Sequence, residues 1–160
     1  MKDLFDKRLL EKIGKKILKK KETVAVAESV TSGLLQFAFS NIPDAAKFLQ
    51  GGITAFNLGQ KFKHLTVEPI HAAAFNCVSA KVAEEMTLNV GNMFASDWSI
   101  GITGYASAVP EGNNEVFAYF AIAYKGIIKS KGRLKGVKTD PVMVQFHYAQ
   151  SVLKKLSALV

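Results

Sequence analysis

Apolar residues recur along the chain with two periods, which predict alternating helices and strands. Near the start, lysines separate apolar residues that follow steps of three and four, a spacing typical of one buried helix face. The apolar residues of this predicted helix are Leu4, Phe5, Leu9, Leu10, Ile13, Ile17 and Leu18. Residues 23–27 (TVAVA) are short, apolar and partly β-branched, as in a buried strand. A polar turn over 28–33 then precedes a predicted helix over 34–39.

The remainder of the chain continues this alternation and ends with a hairpin before a last helix. Further strands are predicted over 51–56, 98–103, 116–124 and 127–134, and further helices over 58–65, from 80 onwards and from 141 onwards. Asp44 is expected to cap a short helix through Gln50, and 67–69 is expected to break the chain. The strongly apolar segment 116–124 favours a central strand, whereas the alternation in 127–134 favours an edge strand. Together these elements predict an α/β domain of three α/β/α layers with a mixed, mostly parallel sheet.

The composition indicates one folded, soluble domain. A length of 160 residues suits a single domain over 1–160, and an apolar content of 49% excludes a disordered chain. The single Cys77 excludes an intramolecular disulfide framework and is expected to be a small core residue. No apolar run approaches the roughly 20 residues that span a bilayer, and the charged start does not resemble a signal peptide. We therefore expect a cytoplasmic protein without membrane contact.

The net charge of +8 is concentrated in two segments. Residues 1–21 carry nine basic and three acidic side chains, and residues 125–138 carry six basic and no acidic ones. Such patches could bind nucleic acid, or they could be a solvated helix face and an edge strand whose lysines prevent strand pairing. Only Arg8 and Arg133 are arginines, the residue type that specific nucleic-acid contacts favour. We therefore expect the second explanation, and nucleic acid is not an expected partner.

The best candidate for chemistry is the polar turn 28–33 (ESVTSG). Ser29 follows a predicted strand and precedes a predicted helix, a position at the carboxyl edge of the sheet where open α/β folds bind ligands. The amides that follow lack helical partners, so they can bind a phosphate or a developing oxyanion. The turn does not match G-x-S-x-G, and a helix cap without chemistry is the competing interpretation.

Lys61 is the second candidate. It follows the predicted strand 51–56, so its backbone is expected near the same sheet edge as Ser29. A lysine that is desolvated beside a serine has a lowered pKa and can act as a general base. A lysine on a predicted helix is otherwise an ordinary solvated residue. The three histidines show no metal-binding spacing, so neither a metal site nor a cofactor is expected.

A series of segments gives a resemblance to a known family. In order, these are TVAVAESVTSGLL, FLQGGITAFNLGQKFKHLTV, CVSAKVAEEM, SIGITG and PEG. Over roughly 5–158 the chain resembles the C-terminal domain of competence/damage-inducible protein A, a family that includes nicotinamide-nucleotide amidases. The resemblance implies an α/β/α domain that converts nicotinamide mononucleotide, a small anionic nucleotide, to nicotinate mononucleotide and ammonia.

The resemblance also implies roles for the turn that contains Ser29. The family motif E-S-C-T-G-G is matched by ESVTSG, which places Ser29 at the nucleophile position. Its neighbours Val30, Thr31, Ser32 and Gly33 take the oxyanion-hole and substrate-binding position. Val30 replaces the motif's cysteine, so Cys77 is expected outside the site.

Further matches and departures involve the other segments. The family's G-G-x-x-x-Y-x-N-x-x-K is matched by GGITAFNLGQK, which makes Lys61 the general base and puts Phe56 at the tyrosine position. Thr103 and Gly104 match the start of a glycine-rich loop, but YASAVPEG follows. Lys138 stands near the family's G-D-R segment and could hold a phosphate as a point charge.

The departures leave two functions open. We expect a Ser/Lys amidase, because Ser29 and Lys61 are both present. The alternative is a non-catalytic relative that binds a nucleotide or a protein partner, since Phe56 lacks the hydroxyl and the loop lacks the glycine run. A homo-oligomer is compatible with the apolar strand 116–124.

Overall fold

The computed structural model describes residues 4–160, which form one sheet flanked by helices. The strands are β1 (Val24–Glu28), β2 (Leu49–Thr54), β3 (Trp98–Gly104), β4 (Phe117–Tyr124) and β5 (Ile127–Lys135). The helices are α1 (Lys7–Lys20), α2 (Leu34–Ser40), α3 (Leu58–Leu65), α4 (Pro69–Ala74), α5 (Ala80–Phe94) and α6 (Pro141–Leu159). Among these residues no helix is long and apolar enough to cross a membrane.

The strand order is β2-β1-β3-β4-β5. The first three strands are parallel to one another, whereas β4 and β5 pair in antiparallel orientation. The sheet is therefore evenly mixed, and the prediction of a mostly parallel sheet was wrong in this respect. The reason is that β4 and β5 are joined by two residues, Lys125 and Gly126, whose φ angles of 49° and 76° suit a tight hairpin turn rather than a crossover helix.

Two apolar cores lie on opposite faces of the sheet and confirm the three-layer α/β/α architecture. On one face, Val24 and Val26 of β1 pack with α1, α2 and α6. On the other face, Ala25 and Ala27 pack with α3, α4 and α5. The alternation of side chains along β1 thus supplies both cores, and this explains why the strand is buried on both faces.

Most predicted boundaries agree with the structure, and side-chain caps account for several of them. The carboxylate of Asp6 accepts a hydrogen bond from the Leu9 amide at 3.1 Å and begins α1. Asn57 and Ser79 cap α3 and α5 in the same way. Asp140 caps α6, with Pro141 at the first helical position as predicted.

Two local predictions were wrong. The helix expected after Asp44 is a single 3-10 turn, Ala45–Lys47, and Asp44 itself has a left-handed φ of 62° without a capping hydrogen bond. A helix, α4, begins at Pro69, where only a break was expected, because the Glu68 carboxylate accepts from the amides of Ile70 and His71. The positions of the last two strands agree with the prediction, because β4 lies inside the sheet between β3 and β5, and β5 is an edge strand.

Candidate active site

The parallel strands bring the predicted site segments to one edge of the sheet. Glu28, the last residue of β1, is in register with Thr54 of β2 and Ile102 of β3. The residues that follow these three positions therefore share the carboxyl edge, where ligands bind in open α/β sheets. The Ser29 amide donates to the Ile102 carbonyl at 3.1 Å and holds the turn against β3.

The buried carboxylate of Glu28 organises the turn that follows it. It accepts hydrogen bonds from the Thr31 hydroxyl at 2.5 Å and from the amides of Gly33, Leu35 and Gln36 at 3.2, 3.0 and 2.9 Å. The protein's own carboxylate thus satisfies the first amides of α2, which are otherwise free donors. These amides are therefore not free to donate to an external phosphate.

Two of the amides expected to stabilise an oxyanion are already bonded. The Ser32 amide donates to the Ser29 carbonyl at 3.1 Å, and the Gly33 amide donates to Glu28. Ser32 and Gly33 have φ angles of 53° and 98°, in the left-handed region that glycine favours, so they reverse the chain between β1 and α2. Within residues 4–160 the amides of Val30 and Thr31 have no hydrogen-bond acceptor. Thr31 is fully buried, so the Val30 amide is the candidate donor of this turn to an oxyanion.

Lys61 reaches Ser29 from the first turn of α3. Its Nζ donates to the Ser29 Oγ at 2.9 Å, and its side chain is 1% exposed. Burial lowers the pKa of Lys61, because desolvation disfavours the charged ammonium. No carboxylate of residues 4–160 lies within ion-pair distance of Lys61. A buried lysine beside a serine hydroxyl can therefore take its proton.

Cys77 lies in the same site, and the expectation that it lies outside was wrong. The side chain is buried and lines the same cavity as Ser29 and Lys61. Asn76 and Cys77 both have left-handed φ angles, 48° and 61°, so the segment between α4 and α5 folds back towards the strand ends. Burial raises the pKa of the Cys77 thiol, although the charge of Lys61 opposes this shift.

A cavity of about 780 Å³ opens above these groups. Six residues selected from the sequence line it: Ser29, Val30, Phe56, Lys61, Thr103 and Gly104. Phe56 lies at the mouth and is 70% exposed. The Thr103 hydroxyl donates to the Cys77 carbonyl at 2.8 Å, so it holds the wall of the cavity. Thr31, Ser32 and Gly33 support the turn but do not line the cavity.

Lys138 is separated from this cavity. It lines a neighbouring cavity of about 810 Å³ together with Arg133 and Lys135. The two cavities share Ala106, Ser107 and Pro141 in their walls. The structure therefore does not bring Lys138 to Ser29, but it places a group of cations beside the candidate site.

Helix α6 supports both walls of the cavity, which the sequence patterns did not indicate. The Gln145 side chain donates to the Val30 carbonyl at 2.9 Å, next to the nucleophile position. The Tyr148 hydroxyl donates to the Tyr105 carbonyl at 3.0 Å, in the loop after β3. The two residues are three apart and share a helix face, and this spacing is the only sequence signal that could have suggested their joint role.

Comparisons with known proteins point to one family. A family model described as the CinA C-terminal domain matches residues 6–160. A CinA-like protein of Rippkaea orientalis is 30% identical over 94% of the chain, which covers 37% of that protein. A putative competence-damage inducible protein of Moorella thermoacetica is 37% identical over 70% of the chain and 28% of its own length. The chain thus spans about a third of the length of these curated relatives.

Solved structures show the same fold. A competence-damaged protein (CinA) superfamily protein from Escherichia coli is 25% identical and has a TM-score of 0.90. The match covers all of the present chain and 93% of the Escherichia coli chain. A competence or damage-inducible protein from Enterobacter asburiae is 25% identical over 96% of both chains, with a TM-score of 0.89. Because the family model matches nearly the whole chain, the protein belongs to the CinA C-terminal domain family.

Proposed function

We propose that the protein is a serine-dependent amidohydrolase that hydrolyses the carboxamide of nicotinamide mononucleotide. The observation that carries the proposal is the buried hydrogen bond of 2.9 Å between Lys61 Nζ and Ser29 Oγ. A solvated helix lysine has no such contact, whereas a nucleophile and its base require one. The substrate follows from the family resemblance, in which Ser29 and Lys61 occupy the catalytic positions.

The proposed reaction begins with attack of the Ser29 oxygen on the carboxamide carbon, while the neutral amine of Lys61 takes the hydroxyl proton. The free amide of Val30, which lines the cavity, is the candidate donor to the resulting oxyanion. Lys61 then gives its proton to the departing nitrogen, and ammonia leaves an acyl ester on Ser29. Water hydrolyses this ester to the carboxylate, with Lys61 again accepting and returning a proton.

The neighbouring cavity suits the anionic part of such a substrate. Arg133, Lys135 and Lys138 line it, and Glu115 is ion-paired with Arg133. We place the phosphate of the mononucleotide there, because the two cavities adjoin at Ser107 and Pro141. A free cysteine and this nucleotide substrate also suit a cytoplasmic protein.

The test is release of ammonia from nicotinamide mononucleotide by the purified protein. We expect turnover in the wild type and a loss of roughly 10³-fold or more in Ser29→Ala and in Lys61→Met. Ser40→Ala and Lys63→Met are matched controls at exposed positions, and both should retain wild-type activity. Equal rates in the wild type and Ser29→Ala would refute the amidase proposal for this substrate.

A non-catalytic binding protein is the second candidate. The observation that favours it is that Phe56, at the mouth of the cavity, provides no hydroxyl for proton transfer. Calorimetry with nicotinamide mononucleotide separates the two candidates. Binding by the wild type without ammonia release supports the non-catalytic protein, and ammonia release that depends on Ser29 excludes it.

A further inference from the structure

The ring of Tyr105 is held firmly in the wall of the candidate active site. Its amide donates to the Phe117 carbonyl at 2.8 Å, and its carbonyl accepts from the Tyr148 hydroxyl at 3.0 Å. The ring meets that of Phe117 edge to face, with 5.5 Å between centroids and an interplanar angle of 78°. The ring also lies so close to Gly112 that a Cβ added to this glycine would come within 2.8 Å of it. Backbone and ring contacts thus hold Tyr105 against the cavity.

The hydroxyl of Tyr105 is oriented by Asn76. The Asn76 side-chain nitrogen donates to the Tyr105 hydroxyl oxygen at 3.1 Å, and both residues line this cavity as well as an adjoining one of about 530 Å³. A phenolic O–H lies near the ring plane and has two preferred directions. Because Asn76 occupies one of these directions as a donor, the hydroxyl hydrogen takes the other. Among residues 4–160 this hydrogen has no acceptor.

Other polar groups of the lining are already engaged or lie on an exposed loop. Lys61 is bonded to Ser29, and the Thr103 hydroxyl donates to the Cys77 carbonyl. Ser107 lies on an exposed part of the loop. Tyr105 therefore supplies a hydroxyl donor, oriented by Asn76, that the described residues do not use.

We propose that Tyr105 is a specificity residue whose hydroxyl donates a hydrogen bond to a sugar oxygen of the substrate, next to the carboxamide at Ser29. Asn76 is the positioning residue that turns the hydroxyl hydrogen towards the ligand. The proposal rests on the amidase function above and narrows its substrates to amides that carry a sugar on the ring. Free nicotinamide lacks this oxygen, so it gains nothing from Tyr105.

Tyr105→Phe tests the hydroxyl alone, because the ring and its packing remain. We expect KM for nicotinamide mononucleotide to rise roughly 3- to 30-fold with kcat little changed, as for a lost binding hydrogen bond. Asn76→Ala should shift KM in the same direction by a smaller factor. Tyr119→Phe is the matched control, because Tyr119 does not line this cavity, and it should leave KM unchanged.

A binding experiment makes the test independent of turnover. On a Ser29→Ala background, calorimetry compares nicotinamide mononucleotide and free nicotinamide with and without Tyr105→Phe. We expect a roughly 3- to 30-fold weaker affinity for the nucleotide alone. The role of Tyr105 is overturned if the Ser29→Ala proteins with and without Tyr105→Phe bind the nucleotide equally, or if neither binds it measurably. It is also overturned if Tyr105→Phe weakens the affinity for free nicotinamide as much as the affinity for the nucleotide.

The two proposals fail in different ways. Loss of activity in Ser29→Ala with an unchanged KM in Tyr105→Phe keeps the amidase and refutes the specificity residue. Weaker nucleotide binding in Tyr105→Phe without any ammonia release keeps the specificity residue and refutes the amidase.

Discussion

Replacing Lys61 with methionine should stabilise the fold while it removes the proposed base. The Lys61 side chain is 1% exposed, and its Nζ is bonded to a neutral hydroxyl at 2.9 Å. No carboxylate of residues 4–160 compensates its charge. Such a cation costs folding free energy, which sites of catalysis tolerate because the chemistry requires the perturbed group.

The magnitude follows from two opposing contributions. Desolvation of a buried ion costs several kcal/mol after relaxation. The hydrogen bond from the charged amine to Ser29 contributes about 1.5–3 kcal/mol in the opposite direction. Methionine has a similar length and removes both effects, so at a pH where the folded protein still holds Lys61 protonated we expect the free energy of unfolding to rise by about 1–3 kcal/mol. For a domain of this size this corresponds to an increase in Tm of about 3–10 °C.

The increase in the free energy of unfolding that Lys61→Met produces should depend on pH in a defined direction. Burial lowers the pKa of Lys61 from its ordinary value of 10.5. Between the lowered pKa and 10.5, the unfolded chain holds a proton on Lys61 that the folded chain lacks, so wild-type stability rises with pH. Below this range both states are protonated and the penalty is complete, whereas above 10.5 both are neutral and it vanishes. The advantage of Lys61→Met is therefore greatest at low pH and decreases towards pH 10.5.

Chemical denaturation of the wild type, Lys61→Met and Lys63→Met over a pH series measures this effect. Lys63 lies on the same helix but is exposed, so its replacement should change stability by less than about 0.5 kcal/mol at every pH. Destabilisation by Lys61→Met, or a gain that is independent of pH, would refute the argument that an uncompensated buried charge lies at this site.

Two further predictions concern the frame of the site, and both are measured by chemical denaturation. Glu28→Gln should lower the free energy of unfolding by about 2–4 kcal/mol, because a side-chain NH₂ would face amides that now donate to the carboxylate; an unchanged midpoint would contradict its capping role. Gly101→Ala should cost about 1–3 kcal/mol, since its Cβ would lie 2.7 Å from the Ala83 carbonyl oxygen of α5. In Gly59→Ala on the first turn of α3, the added Cβ would lie 3.5 Å from the Asn57 side-chain oxygen, an ordinary contact, so stability should instead rise by up to about 1 kcal/mol. Equal effects at both glycines would refute the steric argument.

The sequence by itself determined the local structure around the site. Apolar periodicity and capping residues are local signals, so helix α3 was predicted with the bounds that the structure shows, Leu58–Leu65. The same signals located Ser29 between β1 and α2, because a polar turn between a buried strand and a helix is visible within ten residues. The family resemblance then assigned partners to Ser29 that local patterns could not.

Only the tertiary structure decided which side chains meet. The burial of Lys61 against Ser29 depends on the parallel pairing of β1 and β2, which joins residues 32 positions apart. Cys77 lines the cavity because two residues of its loop have left-handed φ angles. Tyr105 lines it because its backbone is bonded to β4 and α6. Periodicity reports how each segment faces the core, but it carries no distances between segments. Strand order and loop conformation set those distances, and they convert an ordinary helix lysine into a buried partner of a serine.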